Sequence, residues 1–169
     1  YILRRFAAWG HAWEQASDGG FQQTRTMSAA ASGGLAGMGA GNGWLQNIPA
    51  ADTDLVFGML CEEWGILIAV LAVLSILTLT VFAARACRVG RSAFPTIAAC
   101  AAGALLAAQT ALNVFGAMDL LPLTGVTLPF VSNGGSAMIA SWGLLAFLQG
   151  ADTRERSRRA PVKKEVSSQ

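Results

Sequence analysis

Four carboxylates lie close together near the middle of this chain, and they are its best candidates for chemistry. Asp52 and Asp54 come first, and Glu62 and Glu63 follow about two helical turns later. A long uncharged apolar segment, residues 64–84, begins directly after them. Ionisable side chains at the mouth of a membrane helix are costly to bury, so they indicate a functional site. A carboxylate in this position can act as a general base, and Asp54 is the first candidate.

Structural roles are open for the same residues. Asp54 is a suitable N-cap for a helix that begins at Leu55, a role compatible with catalysis. Glu62 falls on the same helical face as Asp54, so it is better aligned than Glu63 to support the site. Alternatively, the two glutamates form a packing ion pair with another span or lie at the membrane interface.

The composition indicates a membrane protein. Of 169 residues only 13% are charged, against about 25% in a typical soluble domain, and the mean hydropathy is +0.46. Basic residues flank the apolar segments, a pattern that reports membrane orientation and not a nucleic-acid partner. Cys61, Cys87 and Cys100 form no CxxC pair and the chain has one histidine, which argues against a disulfide framework or a metal site. We expect the three cysteines to be small apolar fillers.

Residues 1–53 are predicted to form a large extracytoplasmic loop. It begins with a short helix suited to the membrane interface, because apolar residues recur there at helical spacing: Ile2, Phe6, Trp9 and Trp13. Residues 21–32 are polar and small, and the glycine-rich segment 32–43 predicts a backbone loop or re-entrant turn. A phosphate cradle is disfavoured because no strand precedes this segment. A GxxxG series for helix packing is the other alternative.

The rest of the chain predicts an all-α polytopic membrane fold with about three transmembrane helices. The predicted segments are a transmembrane helix at 54–86, a cytoplasmic loop at 87–94, a transmembrane helix at 95–118, an extracytoplasmic loop at 119–133, a transmembrane helix at 134–150, and a basic, disordered cytoplasmic tail at 151–169. Three crossings put both basic segments on the cytoplasmic side, in agreement with the positive-inside rule. The carboxylate loop and the 119–133 loop then lie together on the outer face.

Several motifs occur in a consistent order between about residue 20 and residue 150. They are Phe21-Gln22, Ser32-Gly33-Gly34-Leu35-x-Gly37-x-Gly39-x-Gly41, Pro49-Ala50-x-x-Thr53-Asp54-x-x-Phe57, Glu62-Glu63-x-Gly65, Asn113, and Leu120-Leu121-Pro122-Leu123-Thr124-Gly125-Val126-x-Leu128-Pro129-Phe130-x-Ser132-x-Gly134-Gly135-Ser136. Together they resemble the FtsW/RodA/SpoVE family, also called the SEDS family.

The resemblance implies a function. Members of that family are ten-span membrane glycosyltransferases that polymerise lipid II into peptidoglycan for cell division or elongation, usually beside a class B penicillin-binding protein. This chain would correspond to their large outer loop and last three spans, and we expect it to be the C-terminal part of a longer protein in the bacterial cell membrane. The active site would face the outside. A non-catalytic scaffold for a penicillin-binding protein, or a lipid II transporter, are the alternatives.

The resemblance also assigns roles to residues. Asp54 would be the base that takes the proton of the incoming GlcNAc 4-hydroxyl. The predicted substrate-binding residues are Gly33, Gly34, Gly37, Thr53, Thr124, Ser132, Gly134 and Ser136. The predicted structural supports are Glu62, Glu63 and Asn113. No ligand set identifies a metal, although a divalent cation (Mg or Mn) over the substrate diphosphate is compatible with the chemistry.

The chain departs from the family pattern at two positions. Asp52 stands where the family usually carries histidine, two residues before the catalytic aspartate. Asn133 stands where the family has the tyrosine of Ser-Tyr-Gly-Gly-Ser. The first change introduces a negative charge beside Asp54, and the second removes an aromatic surface.

Overall fold

Every regular element of the computed structural model, which describes residues 2–89 and 93–159, is helical. The α-helices are α1 (Ile2–Ala8), α2 (Phe21–Gly33), α3 (Val56–Val89), α4 (Ala93–Ala117) and α5 (Gly135–Arg159), with a short 3-10 turn at Leu45–Asn47. Across these residues no strand occurs. The all-α expectation is therefore confirmed.

Two of the helices are long and apolar enough to cross a membrane. These segments are Val56–Arg85 in α3 and Thr96–Ala117 in α4, and most of their residues lie on the surface of the described chain. Such exposure suits helices that face lipid or further spans. The third predicted span lies within α5, which does not meet the same requirement within the described residues. Its crossing stays a prediction.

Helix α3 is interrupted at Gly65, whose backbone (φ 84°, ψ 162°) is not helical. The break frees backbone groups that the glycine-rich segment then satisfies. Three hydrogen bonds join them: from the Met38 N–H to the Glu62 carbonyl (2.9 Å), from the Gly39 N–H to the Glu63 carbonyl (3.0 Å), and from the Ile66 N–H to the Gly34 carbonyl (3.0 Å). The glycine-rich segment therefore supplies hydrogen-bond partners for the α3 backbone groups that the break leaves unpaired.

The break also fits the dimensions of a bilayer. From Ile66 to Arg85 the helix has about 20 residues, which at 1.5 Å per residue cover about 30 Å, the thickness of the hydrocarbon core. The sequence predicted one uninterrupted span from residue 54. The helix instead begins at Val56, and its membrane-length section begins after Gly65.

Helix α2 was not predicted, because its sequence is polar and rich in Thr, Ser and Ala. Its hydroxyl groups bond back to carbonyls of the preceding turn, as in Thr26 Oγ1 to Gln22 O (2.7 Å) and Ser28 Oγ to Thr24 O (2.8 Å). Its small side chains also permit close packing on α3, where a Cβ on Gly33 would overlap the Cys61 carbonyl. The interaction with α3 therefore stabilises a helix that the local sequence does not predict.

Four further expectations need correction. The amphipathic helix ends at Ala8, so Trp9 and Trp13 lie in the turns after it. The loop predicted at 87–94 is shorter, because α3 continues to residue 89 and α4 starts at residue 93. The tail predicted to be disordered is helical through residue 159, where Arg and Glu favour a helix; residues 160–169 and 90–92 lie outside the described part. Cys100 belongs to a disulfide and is not a simple filler, whereas Cys61 is buried and free.

Candidate functional site

Asp54 lies in the turn that leads into α3, and its side chain is half-buried. Its N–H donates to the Ala50 carbonyl (2.9 Å), and Ala50 has a positive φ of 63° that sharpens this turn. Helix α3 begins at Val56, one residue later than an Asp54 cap would require. Among the described residues, no donor lies within hydrogen-bond distance of the Asp54 carboxylate. The carboxylate therefore does not cap the helix.

The backbone around Asp54 is held by three consecutive carbonyls. The Asp52 carbonyl accepts from the N–H of Asn133 (2.9 Å) and the Thr53 carbonyl accepts from Oγ of Ser132 (2.7 Å). The Asp54 carbonyl accepts from Nδ2 of Asn113 (3.1 Å). The main chain of Asp54 is fixed on one side, while its carboxylate accepts no hydrogen bond from the described residues.

Asn113 and Ser132 extend this contact to the loop between α4 and α5, residues 118–134. Asn113 is buried on α4 and also donates to the Val126 carbonyl (2.7 Å). Ser132 is buried at the other end of the loop, and its Oγ also accepts the N–H of Leu128 (2.8 Å). Each side chain thus links the carboxylate loop to the 118–134 loop. The structure therefore brings together two segments that are about 80 residues apart in the sequence, as the sequence predicted.

Gly125 lies against the Asp54 carboxylate with a left-handed φ of 73°. A Cβ placed on this glycine would be 2.9 Å from Oδ2 of Asp54 and 3.5 Å from Nη1 of Arg5. The carboxylate and the guanidinium therefore lie beside the same small residue. The site has a negative and a positive group at one surface, with glycine keeping the space between them open.

Arg5 is the site residue that the sequence analysis missed. Its half-buried guanidinium is oriented by two acceptors, the Leu123 carbonyl (2.8 Å, to Nη1) and Oε1 of Gln22 (3.1 Å, to Nη2). Arg5 follows Arg4 on the short helix that the sequence assigns to the membrane interface. Nothing local in the sequence indicates its contact with a residue 118 positions away.

Glu62 and Glu63 hold the glycine-rich loop. Glu62 is fully buried, and its two carboxylate oxygens accept the N–H groups of Trp44 (2.9 Å) and Leu45 (3.1 Å). Glu63 accepts the N–H of Gly41 (3.0 Å). Within the glycine-rich segment, Glu63 thus occupies the N–H of Gly41, and backbone carbonyls of α3 occupy those of Met38 and Gly39, which disfavours the phosphate-cradle alternative further. The structural contact of both glutamates is with the loop, and a direct role beside Asp54 stays a prediction.

The other predicted substrate-binding residues divide into two groups. Gly33 and Gly37 pack against the α3 backbone, since a Cβ on either would overlap a carbonyl of that helix. The rest are exposed or partly exposed and lie near Asp54 or in the glycine-rich segment: Gly34, Thr53, Thr124, Gly134 and Ser136. A substrate contact for any of them stays a prediction.

A metal site is not built from the described side chains alone. Within residues 2–89 and 93–159, no group of three or more His, Cys, Asp or Glu residues is placed to hold a metal ion. Asp52 is exposed and Asp54 is half-buried.

Comparison with known proteins identifies relatives over nearly the whole chain. The FtsW/RodA/SpoVE family model, described as "Cell cycle protein", matches residues 1–157. A "Probable peptidoglycan glycosyltransferase FtsW" of Tolumonas auensis is 38% identical over 167 residues, which cover 92% of this chain and 42% of the relative. A protein of the same name from Escherichia coli is 34% identical over 168 residues, covering 95% and 40%. A "Peptidoglycan glycosyltransferase RodA" of Mycobacterium leprae is 34% identical over 148 residues, covering 88% and 32%.

The match has two consequences. The chain spans about two fifths or less of the length of these relatives. Over that length the match includes α1 with Arg5, the turn with Asp54 and the loop with Gly125, which meet in the structure. The chain therefore belongs to the FtsW/RodA/SpoVE family of membrane proteins.

Proposed function

We propose that this chain carries the catalytic carboxylate of a peptidoglycan glycosyltransferase that polymerises lipid II, with Asp54 as the general base. The observation that carries the proposal is the Asp54 carboxylate, which accepts no hydrogen bond from the described residues, beside the guanidinium of Arg5. The names of the relatives, peptidoglycan glycosyltransferases, give the reaction class.

The reaction joins two sugars and releases a lipid diphosphate. The 4-hydroxyl oxygen of the acceptor sugar attacks the anomeric carbon of the donor, and Asp54 takes the hydroxyl proton. The bond from that carbon to the diphosphate oxygen breaks, and its electron pair leaves with the diphosphate. Arg5 contributes a positive charge where this negative charge develops, and guanidinium groups suit phosphate oxygens in geometry as well as in charge.

The lengths of the helices support a membrane position for the site. The apolar section of α3 after Gly65 matches one bilayer crossing, and with such a crossing the turn with Asp54 would lie near the headgroups. Basic residues at the far end of α3, together with a third crossing by α5, would make that end cytoplasmic. The proposed protein is accordingly a multi-pass protein of the bacterial cell membrane with its active site on the outer face.

A divalent cation and a protein partner are further parts of the proposal. Mg or Mn would be held mainly by the diphosphate oxygens of the substrate and by water, since Mg²⁺ in such sites takes few protein carboxylates. Activity lost in EDTA and restored by Mg²⁺ or Mn²⁺ tests this. A class B penicillin-binding protein as the partner rests on the family resemblance, and co-purification from membranes tests it.

The decisive experiment measures polymer formation by the complete protein that contains this chain. The purified protein is incubated with lipid II, and the products are separated on a gel. Asp54→Asn keeps the size of the side chain but lowers its basicity, so polymer should disappear while the protein stays folded. The matched control is Glu14→Gln, an equivalent neutralisation at an exposed position. Polymer at wild-type levels from Asp54→Asn would remove Asp54 from the mechanism. No polymer from the wild type would favour the scaffold or transporter alternatives.

A further inference from the structure

Asp52 and Asn133, the two positions that depart from the family pattern, are in direct contact. Nδ2 of Asn133 donates to Oδ2 of Asp52 (3.2 Å). The N–H of Asn133 also donates to the Asp52 carbonyl (2.9 Å). The two residues are 81 positions apart in the sequence. Their pairing indicates that the two departures depend on each other.

The pair lies where it can control the position of Asp54. Asp52 is two residues before Asp54, and Asn133 is two residues before the first turn of α5. The neighbouring bond from Ser132 to Thr53 shares the same interface (2.7 Å). A change in the distance between Asp52 and Asn133 would therefore be transmitted along a short, hydrogen-bonded turn to the Asp54 carboxylate.

We propose that Asp52 and Asn133 form a positioning pair, in which one side chain must accept and the other must donate, and which sets the place of the Asp54 carboxylate during glycosyl transfer. This rests on the proposed function. Both side chains are exposed, so their contact adds little to the core of the protein. Its effect is on the geometry of the site, and misplacement of a reacting group by about 1 Å can cost on the order of 100-fold in rate.

The polarity of the pair provides the test. Asn133→Asp replaces the donor with a second carboxylate, which repels Asp52. Adding Asp52→Asn to that variant restores one donor and one acceptor in the reverse order, with the net charge of the wild type. The control Asn47→Asp makes the same chemical change at an exposed asparagine at the end of the 3-10 turn.

The expected results follow from the polarity. With the complete protein and lipid II, Asn133→Asp should lower kcat about tenfold, because the base is misplaced. KM should change little, because the substrate still binds. The reversed pair should regain most of the lost rate, and Asn47→Asp should keep the wild-type rate. A rate unaffected by Asn133→Asp, or a reversed pair no faster than the single variant, would overturn the proposal.

Failure of the proposed function gives a different pattern. If the wild type forms no polymer, neither variant can be ranked by rate, and the positioning role is overturned together with the function. The contact itself is then read from thermal unfolding of the wild type, the single variants Asn133→Asp and Asp52→Asn, and the reversed pair. Non-additive shifts in Tm would show that the two side chains still interact, as a purely structural pair.

Discussion

Gly125→Ala tests whether the space in front of the Asp54 carboxylate is needed for activity. The new Cβ would lie 2.9 Å from Oδ2 of Asp54, whereas ordinary contacts of a Cβ lie at 3.4–4 Å. The carboxylate, the loop or both must therefore shift. The Cβ would also stand 3.5 Å from Nη1 of Arg5, so the guanidinium restricts movement on that side.

Two separate costs are expected from this substitution. Alanine in a left-handed conformation is less stable than glycine by about 1–2 kcal/mol, and the φ of 73° at Gly125 brings that cost in the folded state. Relief of the contact requires a displacement of roughly 0.5–1 Å, and a shift of that size at a reacting group costs about 10- to 100-fold in rate. In activation free energy this is about 1.4–2.7 kcal/mol.

Gly10→Ala separates the two costs. Gly10 has a φ of 74°, which matches that of Gly125, but a Cβ there would meet nothing within 4 Å. Thermal unfolding should show similar destabilisation for both variants. The rate of lipid II polymerisation, measured on the folded fraction, should fall for Gly125→Ala and not for Gly10→Ala. Equal rates for the two variants would refute the claim that Gly125 leaves room for a reacting carboxylate.

Other predictions concern the supports of the site. Asn113→Asp replaces the amide that donates to two carbonyls, and it should destabilise the fold by about 3 kcal/mol, measured as a lower midpoint of unfolding in detergent. Glu62→Gln loses one of two buried acceptors and should cost about 1–3 kcal/mol, with faster amide exchange in residues 38–45, whereas Glu63→Gln should have a smaller effect. Gly33→Ala should prevent the packing of α2 on α3 and lower the yield of folded protein, whereas Gly135→Ala, which meets nothing within 4 Å, should not.

The long-range apolar pattern was sufficient to predict α3 and α4, because about 20 uncharged residues in a row have few alternatives to a membrane helix. It could not predict the break at Gly65. A glycine within an apolar segment looks like any other helix residue, and its non-helical backbone is stable only because residues 34–39 supply the missing hydrogen bonds. That partner segment is about 30 residues earlier in the chain, and its own pattern indicated only a loop.

The site was also predicted only in part, because some of its contacts join segments that are distant in the sequence. Asp54 and Asn113 were identified from motifs, and the structure connects them through the Asp54 carbonyl. Arg5 was missed because its partners lie on two other segments, the 118–134 loop and α2. Asp52 was recognised as unusual from the sequence. That it pairs with the other unusual residue, Asn133, is a property of the folded chain only.

Asp54 and Glu62 lie about two turns apart and have opposite surroundings, and the contrast supports different roles for them. Glu62 is fully buried with both carboxylate oxygens bonded to backbone N–H groups, which compensates the cost of removing it from water. Asp54 is half-buried, and its carbonyl is bonded while its carboxylate accepts nothing from the described residues. A base that already accepted two hydrogen bonds would have to break them before it could take a proton. An acid that only anchors a loop gains from every such bond. The protein therefore fixes Glu62 by its side chain and Asp54 by its main chain, and this difference supports the proposal that Asp54 is the reacting carboxylate.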